Sequence, residues 1–340
     1  MTAIIHPRKS LPGWQQAYAQ AITSPADLLD ALDLPRALLP GAVDGHGLFP
    51  VRVPRGFLSR MERGNPHDPL LRQVLPLDAE SATVEGFIDD PVGDLAAMPV
   101  PGVLHKYQGR VLLIATGACA VNCRYCFRRH FPYADAGAAG RHWDAAVNYI
   151  AANSSIREVI LSGGDPLVLA DQKLAALVHR LAAIPHLRRL RIHSRLPVVL
   201  PERISDDLLA WFTASRLAPV LVLHANHPAE LDQTVQAACA KLKAAGITLL
   251  NQAVLLRGVN DNAAVLSRLS ERLFECGVLP YYLHVLDPVR GASHFEVGDE
   301  IARQLMETLT RTLPGYLVPK LVREEPGVAA KTPLSTAIHK

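Results

Sequence analysis

The sequence predicts an α/β fold, a partial (β/α)6 barrel of TIM type behind a mainly helical N-terminal lobe, and three observations carry that reading. From residue 110 onward, short β-branched and Leu-rich runs alternate with amphipathic helical patterns roughly every 30 residues, the rhythm of repeated βαβ units around a parallel sheet. Six such units occur, too few for a complete eightfold barrel. Polar residues gather at the carboxyl end of every run, where parallel α/β folds bind ligands. Convergence of all six ends on one pocket favours a ring over an open sheet with a single crevice.

Residues 1–100 lack a regular rhythm; helical patterns at Trp14–Ala21 and Ala26–Leu32 alternate with Pro-rich loops such as Leu34-Pro35 and Phe49-Pro50. They are expected to form a lobe that closes one side of the incomplete barrel. Residues 101–315 carry the barrel. Its strands are expected at Val111–Ala115, Glu158–Leu161, Leu190–His193, Val220–His224, Thr248–Val254 and Tyr281–Leu286. Helices are expected at Trp143–Ala152, Gln172–Ile184, Asp206–Ala214, Pro228–Ala245, Asn262–Cys276 and Asp299–Leu313, each with apolar residues at helical spacing. Residues 316–340 form a C-terminal segment.

Composition bounds the function. The 340 residues are 49% hydrophobic and 20% charged, which specifies a globular core rather than disorder. A net charge of +3, evenly spread, gives no reason to expect a nucleic-acid or membrane partner. The longest apolar stretch, Val111–Val121, is too short to span a bilayer, and Met1–Ser10 holds no apolar core of a secretory signal. The expected compartment is the reducing cytoplasm, where clustered cysteines more often bind metal than form disulfides.

Three of the five cysteines crowd together as Cys119-Ala-Val-Asn-Cys123-Arg-Tyr-Cys126, after the first strand. Zinc is the plain alternative, but structural zinc takes four ligands in paired knuckles and no second knuckle is present. Three thiolates suit a 4Fe-4S cluster with one iron left open for an exchangeable ligand. Cys239 and Cys276 sit singly on helical patterns and read as small buried hydrophobes.

This spacing resembles that of the radical S-adenosylmethionine superfamily, in which the methionine amino and carboxylate groups chelate the open iron. The resemblance implies a partial (β/α)6 barrel and electron transfer that yields a 5′-deoxyadenosyl radical. Gly163-Gly164-Asp165 after the second strand looks like the segment that meets the methionine amino group; the rival reading is a plain tight turn.

The run Cys123-Arg-Tyr-Cys-Phe-Arg-Arg-His-Phe131 narrows the resemblance to the lysine 2,3-aminomutase family. Agreement continues in order through Leu161–Asp165, Ser194–Pro201, His224–Pro228, Asn251-Gln252, Leu255–Asp261, Pro280–Tyr282 and Lys331–Pro333. The resemblance implies L-lysine as substrate, an external electron donor, and pyridoxal phosphate as a further cofactor, with Lys331 matching the family's Schiff-base lysine. Lys106, Tyr107 and Arg110 match its phosphate contacts, with Gln252 a further cofactor contact. Ser194, Arg195, His224 and Asn226 lie where the family meets S-adenosylmethionine; a histidine capping a strand end is the competing account of His224. Arg128 matches the residue for the substrate α-carboxylate, with Arg129 its local rival. Asp287 matches one carboxylate for the ε-ammonium, and Glu324 falls where the lysine enzymes have Asp, keeping the charge on a longer arm. Asp287 argues against a glutamate aminomutase.

The chain stops at Lys340 without the cysteine-rich extension of the catabolic enzymes. It therefore resembles the shorter bacterial members that make (R)-β-lysine, which a lysyl-tRNA-synthetase-like ligase attaches to elongation factor P. Three alternatives stand beside this expectation: a catabolic lysine 2,3-aminomutase, an iron–sulfur electron-transfer module without chemistry of its own, and a Schiff-base aldolase barrel.

Overall fold

The computed structural model describes residues 13–134 and 143–334; the stretch Met1–Ser10 and the terminal Lys340, on which two expectations rest, lie outside the described residues. Among the described residues nine strands form one sheet in sequence order: β1 (Val103–Tyr107), β2 (Arg110–Thr116), β3 (Glu158–Gly163), β4 (Arg189–Ser194), β5 (Ala218–Leu223), β6 (Thr248–Val254), β7 (Leu279–His284), β8 (Lys320–Arg323) and β9 (Thr332–Pro333). From β2 to β8 every neighbouring pair is parallel. β1 and β9 add antiparallel edges at the two ends, so the curved sheet is a barrel left open on one side.

All six expected strands are present, to within two residues at each end. β1, β8 and β9 were not foreseen, for a physical reason. Lys320–Arg323 has only Leu321 and Val322 to bury, and Thr332–Pro333 is two residues long. Such pieces owe their extended form to a neighbouring edge rather than to their own pattern.

Among its described residues the lobe holds five short helices, α1 (Gly13–Ala19), α2 (Pro25–Ala31), α3 (Leu39–Leu48), α4 (Arg55–Leu58) and α5 (Pro69–Arg72). The barrel carries α6 (Trp143–Ala152), α7 (Asp171–Ala182), α8 (Leu196–Val199), α9 (Asp206–Thr213), α10 (Gln233–Ala244), α11 (Ala263–Glu275) and α12 (Asp299–Thr312). The helix expected over Pro228–Ala245 is divided: Pro228–Glu230 makes a 3-10 turn, and Asp232 then caps α10 by accepting from Val235 N at 2.9 Å. Each long helix turns one apolar stripe inward; on α7 it is Leu174, Leu177, Val178 and Leu181.

One continuous core joins lobe and barrel, from Trp14 and Phe57 to Leu309 and Leu321. Polar ties reinforce it: the Arg203 guanidinium lies 4.5 Å from the Trp14 ring centroid, and Arg60 Nη2 donates to Val198 O at 2.6 Å. The lobe therefore reaches the strand ends where a site would form. Among the described residues no helix is long and apolar enough to cross a membrane.

Candidate active site

Strand alternation decides which side chains face the barrel interior. Arg110 and Leu112 of β2, Glu158, Ile160 and Ser162 of β3, Arg191 and His193 of β4, Gln252 of β6, and Tyr282 and His284 of β7 all line one cavity of about 540 Å³. That size is usual for small-molecule sites. The residues assigned to the cluster, cofactors and substrate all line the same cavity: Cys119, Cys123, Cys126, Gly163, Gly164, Asp165, Ser194, Arg195, His224, Asn226, Gln252, Lys106, Tyr107, Arg110, Arg128, Asp287, Glu324 and Lys331. The rival Arg129 does not line it; its guanidinium turns to the lobe.

The cysteine loop follows β2 and is pinned from beneath by the lobe. Arg124, fully buried, donates Nε to Glu80 at 2.8 Å and Nη2 to Gly45 O at 3.0 Å; Arg129 Nη2 reaches the same Glu80 at 2.6 Å. Backbone turns Cys126 N to Cys123 O and Arg129 N to Cys126 O keep the loop tight. All five cysteines are free thiols. Burial, then the neighbouring Cys126, pushes the Cys119 thiol well up; burial and Cys123 push Cys126 up to about 11. Mutual repulsion of this kind is relieved when a cationic group binds.

Gly163, at φ +118°, and Gly164 sit against this loop so closely that a Cβ on Gly164 would stand 2.3 Å from Ala118 O. Asp165 accepts from Ser194 Oγ at 2.8 Å, Arg195 N at 2.7 Å and Leu167 N at 3.1 Å, so its carboxylate ties the β3 turn to the β4 end. Burial raises it to about 6 even against these bonds. Arg195 gives Nη1 to Tyr125 at 2.7 Å and to Cys123 Sγ, and Nη2 to Gln73 at 2.6 Å and Glu230 at 3.0 Å. Asn226 donates to Tyr125 at 2.6 Å and Gln73 at 2.9 Å. These side chains hold one another in a buried network.

The other wall is a chain of charges. Asp94, absent from the sequence reading, bridges Lys106 at 2.5 Å and Arg128 Nε at 2.7 Å. Lys106 also meets Glu324 at 3.0 Å and Val92 O at 2.8 Å, and Glu324 meets the Lys331 amine at 2.7 Å. Burial opposes charge on Glu324, but Lys331 and Lys106 outweigh it and hold the carboxyl down to about 2. Asp287 forms no ion pair among the described residues; burial and the Glu324 charge push it up to about 7, against Lys331 and Lys106. Arg128 gives Nη1 to Ser162 at 3.3 Å, and Asp94 fixes its other edge.

His193 and His284 were also missed, and the signal was there: both stand two residues from another inward-facing side chain, Arg191 and Tyr282. The Nε2 atoms of both are buried with no hydrogen-bond partner among the described residues. His224, which pairs with Gln252 at 3.0 Å, is pushed down to about 3 by burial and then by Arg195. Orphaned imidazoles around a lysine amine fit a polar aromatic ligand. Three thiols on one loop fit an iron–sulfur cluster, which takes one thiolate per iron. No three His, Cys, Asp or Glu among the described residues stand in the arrangement of a single-ion site.

Known proteins resemble this chain in three ways that bear on the site. The Radical SAM superfamily pattern matches residues 113–267. The L-lysine 2,3-aminomutase of Escherichia coli is 52% identical over 329 residues, 96% of each chain, and that of Haemophilus influenzae is 51% identical over 94% of each. The L-lysine 2,3-aminomutase of Clostridium subterminale is 38% identical over 82% of this chain and 67% of its own length.

Proposed function

The chain belongs to the lysine 2,3-aminomutase family of the radical SAM superfamily, an isomerase family, and from that membership we propose that it converts L-lysine to β-lysine, the R isomer, using a 4Fe-4S cluster, S-adenosylmethionine and pyridoxal phosphate. The observation that carries the reading is the single cavity onto which both the three thiols and the Lys331 amine open.

When bound, the reduced cluster supplies the electron that splits S-adenosylmethionine, and pyridoxal phosphate supplies the conjugated ring that delocalises the unpaired electron while the amine migrates. Cys119, Cys123 and Cys126 hold the cluster, and the Gly163-Gly164 backbone lets a ligand approach without side-chain interference. Arg128, set by Asp94, presents its free edge to the substrate carboxylate. Asp287 takes the ε-ammonium: it lines the cavity and forms no ion pair among the described residues. Lys331 holds the cofactor's aldehyde carbon, with Glu324 keeping its amine in place.

We assign the product to elongation factor P, to be attached by a lysyl-tRNA-synthetase-like ligase in the cytoplasm. Support comes from the higher identity to relatives matched over nearly their whole length than to the longer Clostridium subterminale enzyme. Five free thiols suit a reducing compartment. The test is to supply the reaction product to elongation factor P and the ligase. Addition of β-lysine mass to the factor supports the assignment, and a product the ligase ignores refutes it.

A further inference from the structure

Beneath the cysteine loop lies a group of charges to which the reading above gives no task in the reaction. The side chains of Glu80, Arg124 and Arg129 are 0%, 0% and 1% exposed, and the one carboxylate meets both guanidiniums. Arg124 is the neighbour of Cys123 in the chain, and Arg129 follows Cys126 by three residues. Glu80 belongs to the lobe, 44 and 49 residues earlier, so the pairing fastens the loop to a distant segment.

Hydrogen bonds are nearly complete in this group, but charge is not balanced. Besides Glu80, Arg124 donates to Phe49 O at 2.5 Å and Gly45 O at 3.0 Å, and Arg129 Nη1 donates to Arg124 O at 3.0 Å and Gly291 O at 2.9 Å. Carbonyls satisfy donors without cancelling a charge. Both guanidiniums also lie over the Phe49 ring, 5.1 and 5.0 Å from its centroid. His294 does not redress the balance: it faces Glu80 and the cations Arg129, Arg72 and Arg124, and burial holds it down to about 4, neutral at physiological pH. Two buried cations thus share one anion. A buried net charge is unfavourable unless an opposite charge lies close by.

The thiol loop supplies that opposite charge. Arg129 acts on the Cys126 thiol, and Cys123 acts on Arg124. Three thiolates outweigh the positive core of a cluster, and an electron taken up makes the assembly more negative still. In a low-dielectric interior a neighbouring positive charge favours that uptake.

We propose that Glu80 is a positioning residue that holds Arg124 and Arg129 against the cysteine loop, and that the positive charge left over in this triad eases reduction of the cluster seated there. The inference rests on the three thiols holding a 4Fe-4S cluster. Reduction adds one electron from the external donor to the cluster, and no bond forms or breaks in the triad. Loss of the Glu80 charge and loss of the Arg129 charge therefore act on the cluster in opposite directions.

The test follows the reconstituted full chain, without S-adenosylmethionine, by electron paramagnetic resonance during a mediated reductive titration, and counts iron per chain. Glu80→Gln keeps the shape and removes the anion, so the midpoint potential is expected to rise. Arg129→Gln is expected to lower it by about tenfold in the reduction equilibrium, about 59 mV for a one-electron couple. Arg129→Lys should stay near the unsubstituted value. Full iron loading reports that the loop is in place. Loss of iron from Glu80→Gln supports the positioning role, and the comparison of Arg129→Gln with Arg129→Lys then tests the charge. Loaded variants with unchanged potentials, shifts of the same sign in Glu80→Gln and Arg129→Gln, or equal loss of iron from both Arg129 variants overturn the inference while leaving the function standing. An unsubstituted chain that binds no cluster overturns both.

Discussion

Asp287 and Glu324 share one cavity but not one charge state. Glu324 is held down to about 2 by two lysines, so it is ionised throughout the physiological range and contributes stability above pH 4.5 that is lost as the pH falls toward 2. Asp287 is raised to about 7, so its native form binds more protons than the unfolded chain between pH 3.8 and 7, and its effect on stability turns unfavourable as the pH rises through that window. An incoming ε-ammonium draws Asp287 into its ionised form and displaces a proton. Lysine affinity is therefore expected to rise from pH 6 to pH 8, and Asp287→Asn to flatten the profile; calorimetry in buffers of differing ionisation enthalpy counts the proton. A flat profile in the unsubstituted chain removes Asp287 as the ammonium seat. Arg128→Gln, which leaves Asp94 without one of its two cations, is expected to raise the KM for lysine by roughly 10-fold to 100-fold, the worth of a charged hydrogen bond. Steady-state kinetics separates this from a loss of kcat. The cysteine spacing is local and can be read directly from the chain, whereas Lys331 alone reads as a surface charge and is singled out only by the family resemblance. Asp94 was not legible, because its two partners lie 12 and 34 residues away and only the fold joins them.

At the scale of elements, the parallel strands were legible because each carries a short row of buried apolar residues, the alternate positions facing the cavity. The edge strands β1, β8 and β9 were not, since partner edges rather than their own residues hold them extended. The turn after β3 makes the sharpest prediction. A methyl group on Gly164 would stand 2.3 Å from Ala118 O, so Gly164→Ala must push the cysteine loop aside. Iron content after anaerobic reconstitution is expected to fall below half that of the unsubstituted chain, with far-ultraviolet circular dichroism unchanged; full iron loading contradicts the packing described. On α7, Leu177→Ala removes a fully buried side chain from the inward stripe and is expected to cost about 2–5 kcal/mol in denaturant unfolding.

Across the whole molecule, the lobe completes the site rather than merely shielding it. It sends Glu80 beneath the cysteine loop, Gln73 to Arg195, and Asp94 to both Lys106 and Arg128. Its rhythm is irregular in sequence because its residues answer to the barrel's charges and not to a periodic core of their own. A thiol loop, a lysine arm and a carboxylate network thus meet around one cavity. The most direct measurement of its central claim is an anaerobic reaction of the reconstituted chain with S-adenosylmethionine, pyridoxal phosphate, a reductant and L-lysine carrying deuterium at carbon 3. The account predicts β-lysine, with deuterium also recovered in 5′-deoxyadenosine, and neither from Cys123→Ala nor Lys331→Ala. The complete system failing to form β-lysine, or either variant forming it as fast as the unsubstituted chain, contradicts it.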